Sequence, residues 1–264
     1  MSNSKTILSC EAIQEAARIL SLRRLQDTQG PRLPESCRPG DLASALAIQQ
    51  QISSAPGISI AGWKCGLPSA DRIVIAALHG NTLYRQSDST HCIVHTRQQS
   101  VRIEPEIAFV VGQDLPSRAQ PYSMAEIRQA ISSAHLALEL IATRYEHADT
   151  VSFTEHLADS LFNAGVYLGP RIPLDAAFAA QELDIQIHAG QDILLHQHGK
   201  HPAGDPLAPL IWLQEFLRGR GQGLAAGQVI ITGSYAGSPD VPFNTPMNMA
   251  FGTLGHLQVC FERQ

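Results

Sequence analysis

No stretch of this 264-residue chain is apolar for long enough to cross a bilayer. The longest strongly apolar windows, residues 73–78 and 107–111, are strand-sized. The first five residues are polar, and the Ile7-Leu8 pair after them is too brief for a secretory signal core. A soluble, cytoplasmic protein is the expectation. Only 16% of residues are charged, the net charge is −5, and Lys and Arg are scattered. That leaves no electrostatic footprint for nucleic acid. The five cysteines are odd in number and far apart, so neither a disulfide framework nor a zinc knuckle is indicated. The histidines lack metal-ligand spacing, and His196, His198 and His201 read as solvated loop residues. No Gly-x-Ser-x-Gly elbow, dinucleotide fingerprint or P-loop occurs.

What is present is a hydrophobic fraction of 44%, enough for a full core. Residues 11–24 place Ile13, Ala16, Ala17 and Leu20 at helical spacing. After a Pro/Gly-containing connection, Asp41 looks like the N-cap of a second helix that ends before Pro56-Gly57. Residues 1–57 therefore form a small helical region, and 58–264 a second unit of different texture. Residues 58–64 read as a strand, and 70–100 as loop-rich, holding His79, His91 and His95. Ser123 and Glu126 make a capping-box pattern opening a helix with Ile127, Ala130, Ile131 and Ala134 on one face. Residues 166–170 read as a strand. Residues 183–188 and 192–196 read as a hairpin. A last helix is expected over 207–217, with strands at 227–234 and 257–261. Helices segregated from strands favour an α+β fold.

The chemistry concentrates in Arg102-Ile103-Glu104-Pro105-Glu106-Ile107-Ala108-Phe109. In a strand, residues two apart share a face, so Glu104 and Glu106 converge. Two carboxylates in a low-dielectric site repel each other, and either one stays protonated or a cation holds both. A hard divalent ion suits oxygen donors. The alternative is a pair of solvated charges on an edge strand, which Pro105 would fit. Glu139, alone in an apolar run, is a candidate third ligand or an ion-pair partner of Arg144. Lys64, flanked by small residues, suits either a ligand-facing cation or a snorkelling surface lysine. Asp159 and Ser234 read first as turn residues, with contact to a substrate as the alternative.

Together these segments resemble the 2-keto-4-pentenoate hydratase and 4-oxalocrotonate decarboxylase family, within the fumarylacetoacetate hydrolase superfamily. The resemblance rests on five motifs in order: Gly62-Trp63-Lys64-Cys65-Gly66-Leu67-Pro68-Ser69, the Glu104–Glu106 strand, Ala137-Leu138-Glu139, Leu157-Ala158-Asp159-Ser160, and Ile231-Thr232-Gly233-Ser234. It implies a mixed β-roll with a small N-terminal helical region, and Mg²⁺ or Mn²⁺ held by Glu104, Glu106 and Glu139. It also implies Lys64 and Asp159 as catalytic groups, with Leu67, Ser69, Gly233 and Ser234 contacting substrate. The family's loop acid is missing from Ala77-Leu78-His79-Gly80, where His79 is the residue that could replace it. The implied activity is hydration of a 2-hydroxy-alka-2,4-dienoate in aromatic catabolism. The alternatives are a 4-oxalocrotonate-type decarboxylase, a C–C hydrolase or a non-catalytic partner subunit. Homo-oligomers, and association with a related decarboxylase or hydratase, are further implied.

Overall fold

The structure, a computed structural model, describes residues 7–94, 96 and 98–263. The polar first five residues and His95 lie outside the described residues. Two helices come first, α1 (Cys10–Leu25) and α2 (Leu42–Ser53). Ser9 caps α1 by accepting from the Ala12 N–H, and Asp41 caps α2 by accepting from the Ser44 N–H. Both bury an apolar stripe, with Ala16, Ala17 and Leu20 from α1 and Ala45, Ile48 and Ile52 from α2. Then follow β1 (Ile60–Gly66), β2 (Val74–His79), β3 (Leu83–Arg85), β4 (His91–Val94) and β5 (Val101–Val111). Next come α3 (Met124–Ala130), β6 (Ile131–Ile141), α4 (Phe153–Ala158), β7 (Asn163–Ile172) and α5 (Leu174–Phe178). The chain continues with β8 (Glu182–Ala189), β9 (Asp192–Lys200), α6 (Ala208–Arg218) and β10 (Val229–Ile231). It closes with β11 (Asp240–Val241), β12 (Pro246–Phe251) and β13 (His256–Arg263). The class is α+β, as expected.

Two expectations are corrected. Residues 70–100 contain three strands, because residues 74–79 pair antiparallel with β1 and supply mostly buried apolar side chains. The capping box at Ser123 and Glu126 forms, but its helix stops at Ala130. Ile131 and Ala134 belong to β6, where β-branched Ile131 and the serines after it gain a ladder along β5.

The strands form two mixed sheets. One runs β2-β1-β10-β5-β6-β7-β3, with β11 also on β5. The other runs β4-β13-β12-β8-β9. The large sheet curls, so that β2 also touches β7. Its two faces serve different purposes. Ile103, Ile107 and Phe109 alternate with Glu104, Glu106 and Ala108 along β5. The first set joins the main core, which the second sheet enters with Met249, Leu257 and Phe261. Ala108 belongs to a separate cluster with Leu78, Ala137, Val166, Leu168, Val229 and Ile231. The paired registers put this cluster on the same face as Lys64, Glu106 and Glu139.

Pro105 is not on an edge. β5 is a central strand, with β6 on one side and β10 and β11 on the other. β10 pairs with residues 108–110 and β11 with 101–102, so the ladder on that side is interrupted around Pro105. The Pro105 carbonyl accepts from the Tyr235 N–H on that side. The missing proline N–H therefore falls where no strand partner is available, as the chemistry of proline requires.

Candidate functional site

The glutamates on either side of Pro105 lie on the charged face of the sheet. β5 presents Glu104 and Glu106 two residues apart, and Glu139 lies directly across from Glu104 on β6. Ligand atoms from all three carboxylates lie within 4.8 Å of one another. Glu106 and Glu139 are buried. Lys64, from the adjoining part of the sheet, places Nζ 2.8 Å from Glu139 Oε1 and 3.2 Å from the Leu161 carbonyl. Asn163 Nδ2 donates to the same Glu139 oxygen at 2.8 Å. Glu106 Oε2 accepts the Gly233 N–H at 2.6 Å, and Glu104 Oε1 accepts from the Ser238 hydroxyl at 2.5 Å. Gly233 makes its bond at φ +133, and a Cβ there would sit 2.5 Å from the Pro202 ring. Glycine is needed both for that backbone angle and for that space.

Three carboxylates face one ammonium, so the site is short of positive charge. Burial is the main cause that lifts the Glu106 carboxyl well above its usual range, with Glu139 and Glu104 adding repulsion. Burial also raises Glu139, against the opposing pull of Lys64. Burial alone would push Lys64 down, but Glu139 and then Glu104 more than offset it, so the ammonium is held charged. Glu139 Oε2 is buried with no hydrogen-bond partner. A buried orphan oxygen beside two more carboxylates is the donor set a hard divalent cation takes. The residues present fit such an ion.

Above this cluster is a cavity of about 240 Å³, lined by Lys64, Cys65, Gly66, Leu67, Val74, Glu104, Glu106, Pro202, Ala203 and residues 231–233. Of the sequence-predicted residues, Lys64, Leu67, Gly233 and the three glutamates come together here. Four others do not. His79 lies on the opposite face of β2 from Ala76, the Lys64 partner, and its Nε2 is 3.1 Å from the Ser53 hydroxyl of α2. Burial, aided by Arg24, pushes its imidazole down to about 4, so it stays neutral. It does not replace the missing loop acid at this pocket.

Asp159 is the C-cap of α4, and Arg144 Nε donates to both its oxygens at 2.7 and 2.8 Å. Arg24 approaches it at 3.6 Å. Its carboxylate is thus spent on arginines and lies outside the cavity lining. Ser234 donates to the Gly237 carbonyl at 2.7 Å, as a turn serine does. Ser69 is exposed in the turn closed by its N–H to the Arg72 carbonyl.

Two residues at the site had no assigned role from sequence. Thr232 lines the cavity, and its hydroxyl is 3.2 Å from His201 Nε2. His201 is buried rather than solvated, and burial drives its imidazole down to about 4. Its Nδ1 accepts from the Ala203 N–H, so the imidazole links the loop carrying Pro202 and Ala203 to Thr232, just past β10. The only available signal was position, since Thr232 adjoins Gly233. Leu161 was also missed, because it contributes a main-chain carbonyl. Ser160, Leu161 and Phe162 all have positive φ, at 61, 48 and 68°. Three consecutive left-handed non-glycine residues store strain, here in the turn that holds Lys64 and Glu139.

The chain is 28% identical over 230 residues to a 2-keto-4-pentenoate hydratase of Paraburkholderia phymatum, covering 83% of this chain and 85% of that one. It is 24% identical to 2-keto-4-pentenoate hydratase 1 of Dechloromonas aromatica, covering 99% and 100%. Among solved structures, the fold matches 4-oxalocrotonate decarboxylase from Pseudomonas putida G7, complexed with magnesium and adipate. That match has a TM-score of 0.79 at 20% identity, over 96% of this chain and 98% of that one. The pattern described as "Fumarylacetoacetate (FAA) hydrolase C-terminal" matches residues 74–258, a span that holds all three glutamates, the interrupted ladder and Gly233. With most of its length inside that pattern, the chain belongs to the fumarylacetoacetate hydrolase family.

Proposed function

We propose that the cavity binds a small 2-oxo or 2-hydroxy-dienoate acid and that the protein adds water to a 2-hydroxy-alka-2,4-dienoate, giving a 4-hydroxy-2-oxo acid. The observation that carries this reading is the convergence of Glu104, Glu106 and Glu139 around Lys64 beneath a cavity of that size class. The names of the curated relatives support the hydratase reading. Mg²⁺ or Mn²⁺ held by the three glutamates would supply Lewis-acid stabilisation of negative charge on the oxygens of a 2-oxo acid.

The remaining chemistry falls to the chain. Lys64 has three N–H donors, of which Glu139 and the Leu161 carbonyl take two. The third is free for a substrate carboxylate. Because the ammonium is held charged, Lys64 acts as a fixed cation and hydrogen-bond donor rather than as a base. Gly233 fixes the rotamer of Glu106 through its N–H. Leu67 and Val74 give an apolar wall against which a diene can lie. In the hydration, the dienol ketonises by taking a proton at C5, and water then adds to C4 of the enone.

One observation favours a second reading, decarboxylation of a vinylogous 2-oxo diacid. Besides Lys64, Cys65, Glu104 and Glu106, no ionisable side chain lines the cavity among the described residues. Loss of CO₂ needs an electron sink but no activated water, so it asks less of this pocket. The purified protein with Mg²⁺ and 2-hydroxypenta-2,4-dienoate separates the two. Loss of dienol absorbance, abolished by EDTA and by Glu106→Gln, supports hydration. No loss, with CO₂ released from 2-oxo-hex-3-enedioate, replaces it with decarboxylation.

A further inference from the structure

A second set of donor atoms converges on the other sheet. β4 and β13 run parallel, with Cys260 opposite His91. Glu262 lies two residues beyond Cys260 and so on the same face. His91 Nδ1 is 2.5 Å from Glu262 Oε1, and the Cys260 sulfur lies within 4.8 Å of both. These are three different donors: an imidazole, a carboxylate and a thiol. Their chemistry differs from that of the all-oxygen set at Glu104, Glu106 and Glu139. A hard ion such as Mg²⁺ prefers the latter, whereas nitrogen and sulfur donors suit a borderline transition ion.

The geometry suits such an ion. Tetrahedral zinc, with bonds of roughly 2.0–2.3 Å, holds its ligands about 3.3–3.7 Å apart. His91 and Glu262, now in hydrogen-bond contact at 2.5 Å, would have to move apart by about 1 Å to reach that spacing, and the Cys260 sulfur lies within 4.8 Å of both. The backbone beneath them is fixed, since the Cys260 N–H donates to the Thr90 carbonyl at 2.8 Å beside His91. His91 and Cys260 also border a cavity of about 330 Å³ shared with His188 and Asn248. That leaves room for a fourth ligand, such as water. Without an ion, His91 and Glu262 form only an exposed ion pair, and such pairs contribute little to stability.

We propose that His91, Cys260 and Glu262 form a second metal site, selective for Zn²⁺-like transition ions and separate from the carboxylate site. Co²⁺ titration of the full-length protein tests it, because a thiolate ligand gives cobalt a charge-transfer band that carboxylates do not. The band is expected in the wild type and in Glu106→Gln. Cys260→Ser should abolish it, and Cys65→Ser, which removes the thiol of the other cavity, should leave it. Glu262→Gln, at a half-exposed side chain whose change should spare the fold, should weaken Zn²⁺ binding at least about tenfold, because losing a ligand should cost no less than losing a partner that orients one. A band that survives Cys260→Ser, no band in the wild type, or unchanged Zn²⁺ affinity in Glu262→Gln overturns the proposal. Melting curves of each variant without metal identify any loss that comes from misfolding.

Discussion

Asp159 and Glu155 are as deeply buried as Glu106 and Glu139, at 1%, 0%, 2% and 0% exposure. Their surroundings are opposite. Asp159 is bound by Arg144 and approached by Arg24. Glu155 is bound by Arg32, approached by Arg38 at 3.5 Å, and closes the capping box of α4 with Ser152. Two carboxylates there meet four guanidinium groups. At the cavity, three carboxylates meet one ammonium. Buried carboxylates that each meet guanidinium partners hold a fold together, whereas buried carboxylates in excess of their cations mark a place to bind a further cation. The two clusters also touch the same turn, since Asp159 begins it and Leu161 and Asn163 within it hold Lys64 and Glu139.

The largest difference should come from neutralising one acid in each cluster. Asp159→Asn leaves Arg144 buried without its counter-charge, and should cost about 3–5 kcal/mol of stability. Denaturant unfolding measures this, and a loss below 1 kcal/mol would dissolve the contrast. Glu106→Gln should do the reverse. Without metal, its melting temperature should hold or rise, because a buried carboxyl that its surroundings make costly to ionise is gone. Turnover should nevertheless fall on the order of 10²–10³-fold or more, as when a main electrostatic element of a site is removed.

Metal sharpens the comparison further. Glu106 and Glu139 have raised folded-state values, so below the ordinary carboxylate range they contribute no penalty. As pH rises from that range through the raised values, the unfolded chain holds fewer protons than the folded one, and stability is lost. A divalent ion displaces those protons, so its stabilising effect should grow with pH over the same window. At a hundred times its dissociation constant, Mg²⁺ should add about 2.7 kcal/mol. Melting curves with Mg²⁺ and with EDTA at several pH values check this, and a gain independent of pH counts against the carboxylate site. The arginine-held pair should show no such metal dependence.

The smallest effect concerns the shared turn. Ser160→Gly removes the left-handed penalty at φ 61 and should stabilise by up to about 1 kcal/mol. Relaxing the turn should also lower turnover modestly, because Lys64 and Glu139 are held from it.

Much of the site was legible in the sequence because strand periodicity is strict. Glu104 and Glu106 had to share a face, and Glu139 stood out in an apolar run. Periodicity does not say which face, and this is where His79 went astray, since it alternates with Ala76 and Leu78 on β2. Asp159 misled for a different reason. A buried acid beside a motif looks the same in sequence whether it faces a ligand or an arginine 15 residues away. The strand β6 was hidden behind a true capping box, whose signal marks where a helix starts but not where it stops. Thr232 and His201 met only through tertiary pairing, which no local pattern announces.

Pro105 sets a bias in the sheet that does not depend on pH, salt or ligand. An unbroken strand joining β10 to β11 along β5 would replace the 235–239 segment, whose Tyr235 N–H and Pro239 carbonyl bond to Pro105 and Ile103. At position 105 that strand would find no hydrogen to bond. The break in the ladder beside Glu104 and Glu106 is therefore favoured by a covalent ring rather than by a contact that could be lost.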